Sequence, residues 1–385
     1  MITPSTKTSR VTSIDALRGI IMIIMALDHV RDFFHITAQT ADPLDLTTTT
    51  PILFFTRWIT HFCAPTFVFL SGISAYLSSQ HKSPSESSIF LIKRGIWLVA
   101  VDFIIMSFGL TFDPSYSFIM LTVLWAIGCS MILLGIILKL SPKLILPLGL
   151  LLFFGHDIVS MNTNNSSPGF INLLFNGLYI LPIGKTHTIA FLYSILPYTA
   201  VMLLGYWMGK HVRERKTVFI TGLGLFLLFI ILRFINIYGD PQPWKHQSSF
   251  LYTLLSFVNT TKYPPSLQFS TMVLGPSLML LAALDNVQNS FQRFASVYGK
   301  VPFFYYVIHI YLAHIIVVIA FYATGHNNQQ IHDPKSPFLF RPQDFGFSLG
   351  IVYLIWLFVV LMLYYPCRWF SNYKKEHRSW WTSYI

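Results

Sequence analysis

SIDALRGIIMIIMALDHVRDFFH, residues 13–35, is apolar and long enough to cross a bilayer, yet it carries Arg18, Asp28, His29, Arg31 and Asp32. An ionisable side chain at the bilayer centre costs roughly 2.5–3.5 kcal/mol or more, so such residues are read as functional by default. A second stretch, RWITHFCAPTFVFLSGISAYL at 57–77, repeats the pattern with Arg57 and His61. Arg18 and His29 lie eleven residues apart, close to three helical turns, so they share a face. At 1.5 Å per residue they are separated by roughly 16 Å along the axis. Arg18 is then expected near the inner surface and His29 in the outer half.

The rest of the chain agrees with a membrane setting. It is 54% hydrophobic and only 11% charged, which excludes a soluble domain of this length. Ten hydrophobic segments are expected to span, centred on 14–36, 51–79, 89–110, 116–138, 143–159, 189–211, 217–237, 266–288, 298–322 and 346–370. The fold class is therefore all-α, a polytopic bundle of about ten spans. With both termini cytoplasmic, most of the 26 basic residues fall on inner segments, among them Lys7, Arg10, Lys93, Arg94, Arg213, Lys300, Lys374 and Arg378. The net charge of +11 then records orientation, and nucleic acid is excluded as a partner. The first segment reads as a span rather than a cleavable signal, being too long and carrying Asp28-His29. Cys63, Cys129 and Cys367 fall in or beside spans and offer no disulfide framework.

In chain order, residues 1–12 form a polar cytoplasmic tail, 13–370 the transmembrane domain and 371–385 a basic cytoplasmic tail. Ser13 is expected to cap the first helix, and Gly19 to permit close approach of a neighbour. Pro65 is expected to bend the second. Asp102 in the third is expected to face an intramembrane Arg or His. The outer segments 155–188, 238–265 and 323–345 are long, and the last two of these hold Trp244, Tyr263 and several prolines. A third informative stretch, YGKVPFFYYVIHIYLAHIIVV at 298–318, adds Lys300, His309 and His314.

Histidines and cations at these depths suit acyl transfer. Histidine serves as base or nucleophile near neutral pH. Arg18, Lys300 and Arg57 supply positive charge for a phosphorylated donor, the alternative for Arg57 being an ion pair with Asp28 or Asp32. His29, His61 and His309 could converge on one cavity, with Asp28, Asp32 or Asp102 fixing a tautomer. No HxxxH pair exists on these helices, so no metal site is assigned. A proton-coupled transporter or flippase is the alternative for the same charges.

IDALRGIIMIIMALDH, RWITHFCAPTFVFLSG and YGKVPFFYYVIHIYLAH together resemble the membrane acyltransferases related to heparan-α-glucosaminide N-acetyltransferase, including bacterial relatives. The Arg18-to-His29 spacing is also similar to the arginine–histidine motif of the acyltransferase-3 group. The resemblance implies a cytoplasmic acyl-CoA donor (acetyl-CoA), a sugar or glycan acceptor on the outer face, and a multi-pass protein of a bacterial inner membrane. It implies that Arg18 lines the CoA path and His29 sits at the transfer point, with His35 competing for the catalytic role. The soluble sugar-binding segment that precedes the membrane domain in the lysosomal enzyme has no counterpart here, which leaves the acceptor open. The oligomeric state is likewise open.

Overall fold

The bundle is built around α1 (Thr12–Phe34), which packs against helices from both halves of the chain. The computed structural model describes residues 11–162, 169–285, 287, 289–377, 379 and 382. Lys7, Arg10 and Arg378 of the basic set lie outside them. Val11 rather than Ser13 occupies the N-cap of α1, without a side-chain cap. Ser13 is instead buried inside the first turn, where Asp15 meets the helix dipole.

The second segment is two helices, α2 (Pro51–Ile59) and α3 (Cys63–Ser79), joined by a 3₁₀ turn at Thr60–Phe62. Pro65 has no N–H to offer the His61 carbonyl, so the helical ladder is interrupted there and the preceding turn tightens. The third is α4 (Pro84–Val101), opened by a Ser83–Glu86 capping box, then a π-helical turn at Asp102–Met106 and α5 (Ser107–Thr111). There follow β1 (Phe118–Leu121), α6 (Val123–Leu140), α7 (Ile145–Asn162) and α8 (Gly169–Ile171). Next come β2 (Tyr179–Ile183), β3 (His187–Phe191), α9 (Ile195–Met208), α10 (Arg215–Ile235) and α11 (Phe250–Val258). The chain closes with α12 (Leu267–Ala283), α13 (Ser290–Gly299), α14 (Pro302–Ala323) and α15 (Leu349–Glu376).

Among the described residues, six helices are long and apolar enough to cross a membrane: the α2–α3 unit, α6, α7, α10, α14 and α15. α9 and α12 are apolar but shorter. Each of the ten hydrophobic segments carries a helix, but the fourth and sixth begin as strands β1 and β3. These two pair in parallel, and β2 joins β3 antiparallel, giving a small sheet of order β1-β3-β2. The all-α expectation thus holds for the bundle and misses the sheet. α10 and α15 turn Leu227, Ile231, Leu354 and Leu361 outward, apolar surface suited to lipid.

α1 packs against α3, α12, α13, α14 and α15. Its approach to α13 depends on two glycines. A Cβ on Gly19 would sit 1.8 Å from the Ala295 carbonyl oxygen, and one on Gly299 would sit 1.8 Å from that of Asp15. No side chain fits either position, so the helices cross backbone to backbone. At the other end of α1 a clasp forms with the loop before α15. Ile36 N–H donates to the Phe347 carbonyl and Phe347 N–H to that of Phe34. The fully buried Arg341 guanidinium donates to the carbonyls of His35 (2.7 Å), Pro342 and Phe345.

Candidate active site

Two cavities lie along α1, one at each end of the Arg18–His29 face. The first, about 320 Å³, is lined by Arg18, Arg94, Lys300 and Lys374 together with Ser71 and Ser74. The α1–α13 crossing sets Arg18 here: its Nη1 donates to the Gly299 carbonyl at 3.3 Å and its Nη2 to Ser74 Oγ at 2.8 Å. Asp15, one turn earlier, stands 3.7 Å away. Four cations around one cavity, three on different helices and Lys300 at the α13–α14 junction, make a site for a polyanion such as a phosphorylated ligand.

The second cavity, about 130 Å³, is lined by Asp28, His29, Asp32, Arg57, Lys262 and Tyr263 among others. Met25, Phe67, Val123 and Tyr306 line both cavities and form the wall between them. The sheet closes this end, with Met120 of β1, Thr122 just after it, and Leu192 and Tyr193 just after β3 contributing to the cavity.

His29 is held by a neighbour 280 residues away in sequence: its Nδ1 lies 2.7 Å from His309 Nε2. The roles follow from the next link. His309 Nδ1 is 2.9 Å from the Tyr305 carbonyl oxygen, which can only accept, so His309 carries its proton on Nδ1. Neutral His309 then presents a lone pair at Nε2, and His29 donates to it from Nδ1. His29 Nε2 is left with the lone pair, on a ring that lines the cavity. Such a relay fixes tautomer and ring orientation as a carboxylate partner would.

Beside this pair is an ion cluster. Arg57 Nη1 donates to both oxygens of Asp28, 2.6 Å to Oδ2 and closer still to Oδ1. The buried Arg31 bonds Asp32 at 2.5 Å and Asp28 at 3.3 Å. Lys262 Nζ stands 3.9 Å from Asp28 Oδ2 and 5.2 Å from the centre of the Tyr263 ring. In the loop after α11, burial alone would raise the Tyr263 phenol, but the charges of Lys262 and Arg57 outweigh it and leave it below its ordinary pKa.

The expected residues divide as follows. Arg18 and Lys300 meet at the first cavity; Asp28, His29 and Arg57 meet at the second, with His309 behind His29. Arg57 belongs to the Asp28 pair and not to the cavity of Arg18. His61 is fully buried against Phe269, lines neither cavity and has no hydrogen-bond partner at either ring nitrogen among the described residues. His35 sits in the clasp, where its Nδ1 accepts from Thr37 Oγ1 at 3.0 Å, and it too lines neither cavity. Burial, and then the charges of Arg31 and Arg341, hold its pKa below the usual value. Among the described residues, Asp102 bonds no arginine or histidine. It caps α6, accepting from Thr122 N–H (2.6 Å), Thr122 Oγ1 (2.7 Å) and Trp125 N–H (2.9 Å). A carboxylate at a helix N-terminus needs no cationic partner. Among the described residues, no group of three histidine, cysteine or acidic side chains is placed to hold a metal ion.

Sequence patterns do not mark Lys262, Arg94, Lys374, Tyr193 or Tyr306 as site residues, and they give Arg94 and Lys374 a role only as orientation charges. Lys262 carries a usable signal, a lysine followed by an aromatic and two prolines in a loop that the expected topology puts outside, where the positive-inside bias disfavours a cation.

A family model described as heparan-alpha-glucosaminide N-acetyltransferase, catalytic, matches residues 10–236, more than half of the chain. The match contains Arg18, Asp28, His29, Arg57 and Arg94, and stops short of Lys262, Lys300, His309 and Lys374. No curated protein sequence matches the chain.

Proposed function

The chain belongs to the heparan-alpha-glucosaminide N-acetyltransferase catalytic family, and from that premise we propose that it moves an acetyl group from cytoplasmic acetyl-CoA to a sugar or glycan acceptor on the outer face. The family carries a membrane acetyltransferase-like function; the donor, acceptor and direction are this proposal's own. Ten crossings with both termini cytoplasmic, in a bacterial inner membrane, would set the cavity of Arg18 inward and that of His29 outward.

One observation carries the reading: the His309 relay leaves His29 Nε2 as a lone pair at one cavity, three turns along α1 from a second cavity ringed by four cations. Arg18, Arg94, Lys300 and Lys374 would hold the phosphates of CoA. The pantetheine arm would lie along α1 toward the wall formed by Met25, Phe67, Val123 and Tyr306. His29 Nε2 would take the proton of the acceptor amine or hydroxyl as it attacks the thioester, and return it to the departing CoA thiolate. Asp28, Arg31 and Arg57 form the charged frame that holds this end of α1 against α2.

The test is release of free CoA from acetyl-CoA by purified protein supplied with glucosamine. Wild-type turnover is expected, His29→Ala is expected to abolish it, and acetyl-CoA affinity is expected to survive the substitution. Movement of a solute across vesicles without CoA release would instead favour a transporter, and near-normal turnover by His29→Ala would return the catalytic role to His35.

A further inference from the structure

The acyl-transfer reading leaves one requirement unassigned. When the acceptor attacks the thioester, the carbonyl oxygen becomes an oxyanion, and a fixed donor aimed at that position is commonly the largest single contribution to such catalysis. Most donors at the cavity of His29 are already committed. Arg57 is bound to the Asp28 carboxylate. Thr60 Oγ1 donates to the Arg57 carbonyl at 2.7 Å. Thr122 Oγ1 donates to Asp102, so at 3.1 Å it accepts from the Tyr306 hydroxyl.

Lys262 is different. Its side chain is 7% exposed and lines the cavity, and its nearest described carboxylate oxygen, Asp28 Oδ2, is 3.9 Å away. That is an ion-pair distance but too long for a hydrogen bond. An ammonium has three N–H groups to place, and burying it without filling them is costly. The Asp28 contact keeps the charge in position while leaving N–H groups for a ligand.

Resting on the acyl-transfer reading above, we propose that Lys262 is a catalytic residue, its ammonium donating to the thioester carbonyl oxygen as that oxygen becomes anionic. The acceptor nitrogen or oxygen bonds the acyl carbon while His29 Nε2 takes its proton. The C=O pair moves onto oxygen opposite Lys262. Collapse restores the C=O and breaks the C–S bond, and the departing thiolate takes the acceptor's proton from His29. Lys262 begins and ends protonated, so no external oxidant, reductant or base is involved.

An oxyanion donor and an acceptor-binding cation can be separated by changing the nucleophile. With full-length protein and acetyl-CoA, CoA release is measured with glucosamine as acceptor and with water alone. Lys262→Met is expected to slow both reactions roughly 100- to 1,000-fold, with acetyl-CoA affinity unchanged within about twofold. Unchanged rates overturn the proposal. So does a loss confined to glucosamine transfer and expressed in KM, which would make Lys262 an acceptor-binding residue. Should Lys262→Met not fold, Lys262→Gln, whose shorter amide still donates but carries no charge, is expected to show a smaller loss that again falls on both reactions. Failure of both variants to fold would assign Lys262 to the ion cluster alone and overturn the proposal. Absence of CoA release by the wild type with either nucleophile would remove the acyl-transfer reading and this proposal with it.

Discussion

His309→Phe removes the acceptor of His29 Nδ1 while keeping an aromatic ring of similar shape between Tyr305 and His29. The lost bond is 2.7 Å long and lies in a setting where His309 is fully buried and His29 half-buried. In the resting state this leaves a donor unmet, a cost of about 1–3 kcal/mol, and lets His29 exchange tautomers. In the transition state His29 takes a proton, and the bond to His309 would become charge-assisted, about twice as strong as a neutral one. The extra loss in the transition state, the charged bond less the neutral one, is therefore about 1–1.5 kcal/mol, or roughly five- to tenfold in kcat. His309 lines neither cavity, so KM for acetyl-CoA should be unchanged. Steady-state CoA release across a range of acetyl-CoA concentrations separates the two parameters. His309→Gln, whose amide oxygen can accept, should retain more activity than His309→Phe. A folded His309→Phe protein with kcat within about twofold of wild type would refute the relay and the assignment of His29 Nε2 as base.

Arg18→Ala and Arg94→Ala should each weaken acetyl-CoA binding by about ten- to a hundredfold, the value of one charge-assisted contact, without altering the fold; calorimetric titration of either variant with CoA measures it. Arg57→Met strips Asp28 of its closest partner and leaves Arg31 and Lys262 to compensate, so unfolding stability should fall by about 3 kcal/mol, read from thermal melts in detergent. His35 gives a pH signature. Its folded pKa lies below the ordinary value of about 6.5, so on acidification the unfolded chain takes the proton first. Stability should therefore decline between about pH 7 and pH 5, and His35→Gln should flatten that part of the profile.

Much of this protein is legible in its amino-acid order alone. Hydropathy and charge alternation require a membrane bundle because a bilayer tolerates neither unpaired backbone nor idle charge. The helical period alone puts Arg18 and His29 on one face, and Gly19 in the same helix signals the close crossing with α13. Local rules also locate the break at Pro65, though the tightened turn before it depends on backbone geometry. The partners of these residues are another matter. His61 and His309, at similar depth on different helices, look equivalent in sequence as partners of His29, yet helix rotation buries His61 against Phe269 and brings His309 to His29. Asp102 reads as a counter-ion until the π turn aims it at the N-terminus of α6. Lys262 comes from a loop more than two hundred residues beyond His29, and no periodicity links them. Sequence determines which residues a membrane must explain, since burial energetics act on each residue alone. Which of them meet depends on rotation and crossing of helices far apart in the chain, and only packing decides that.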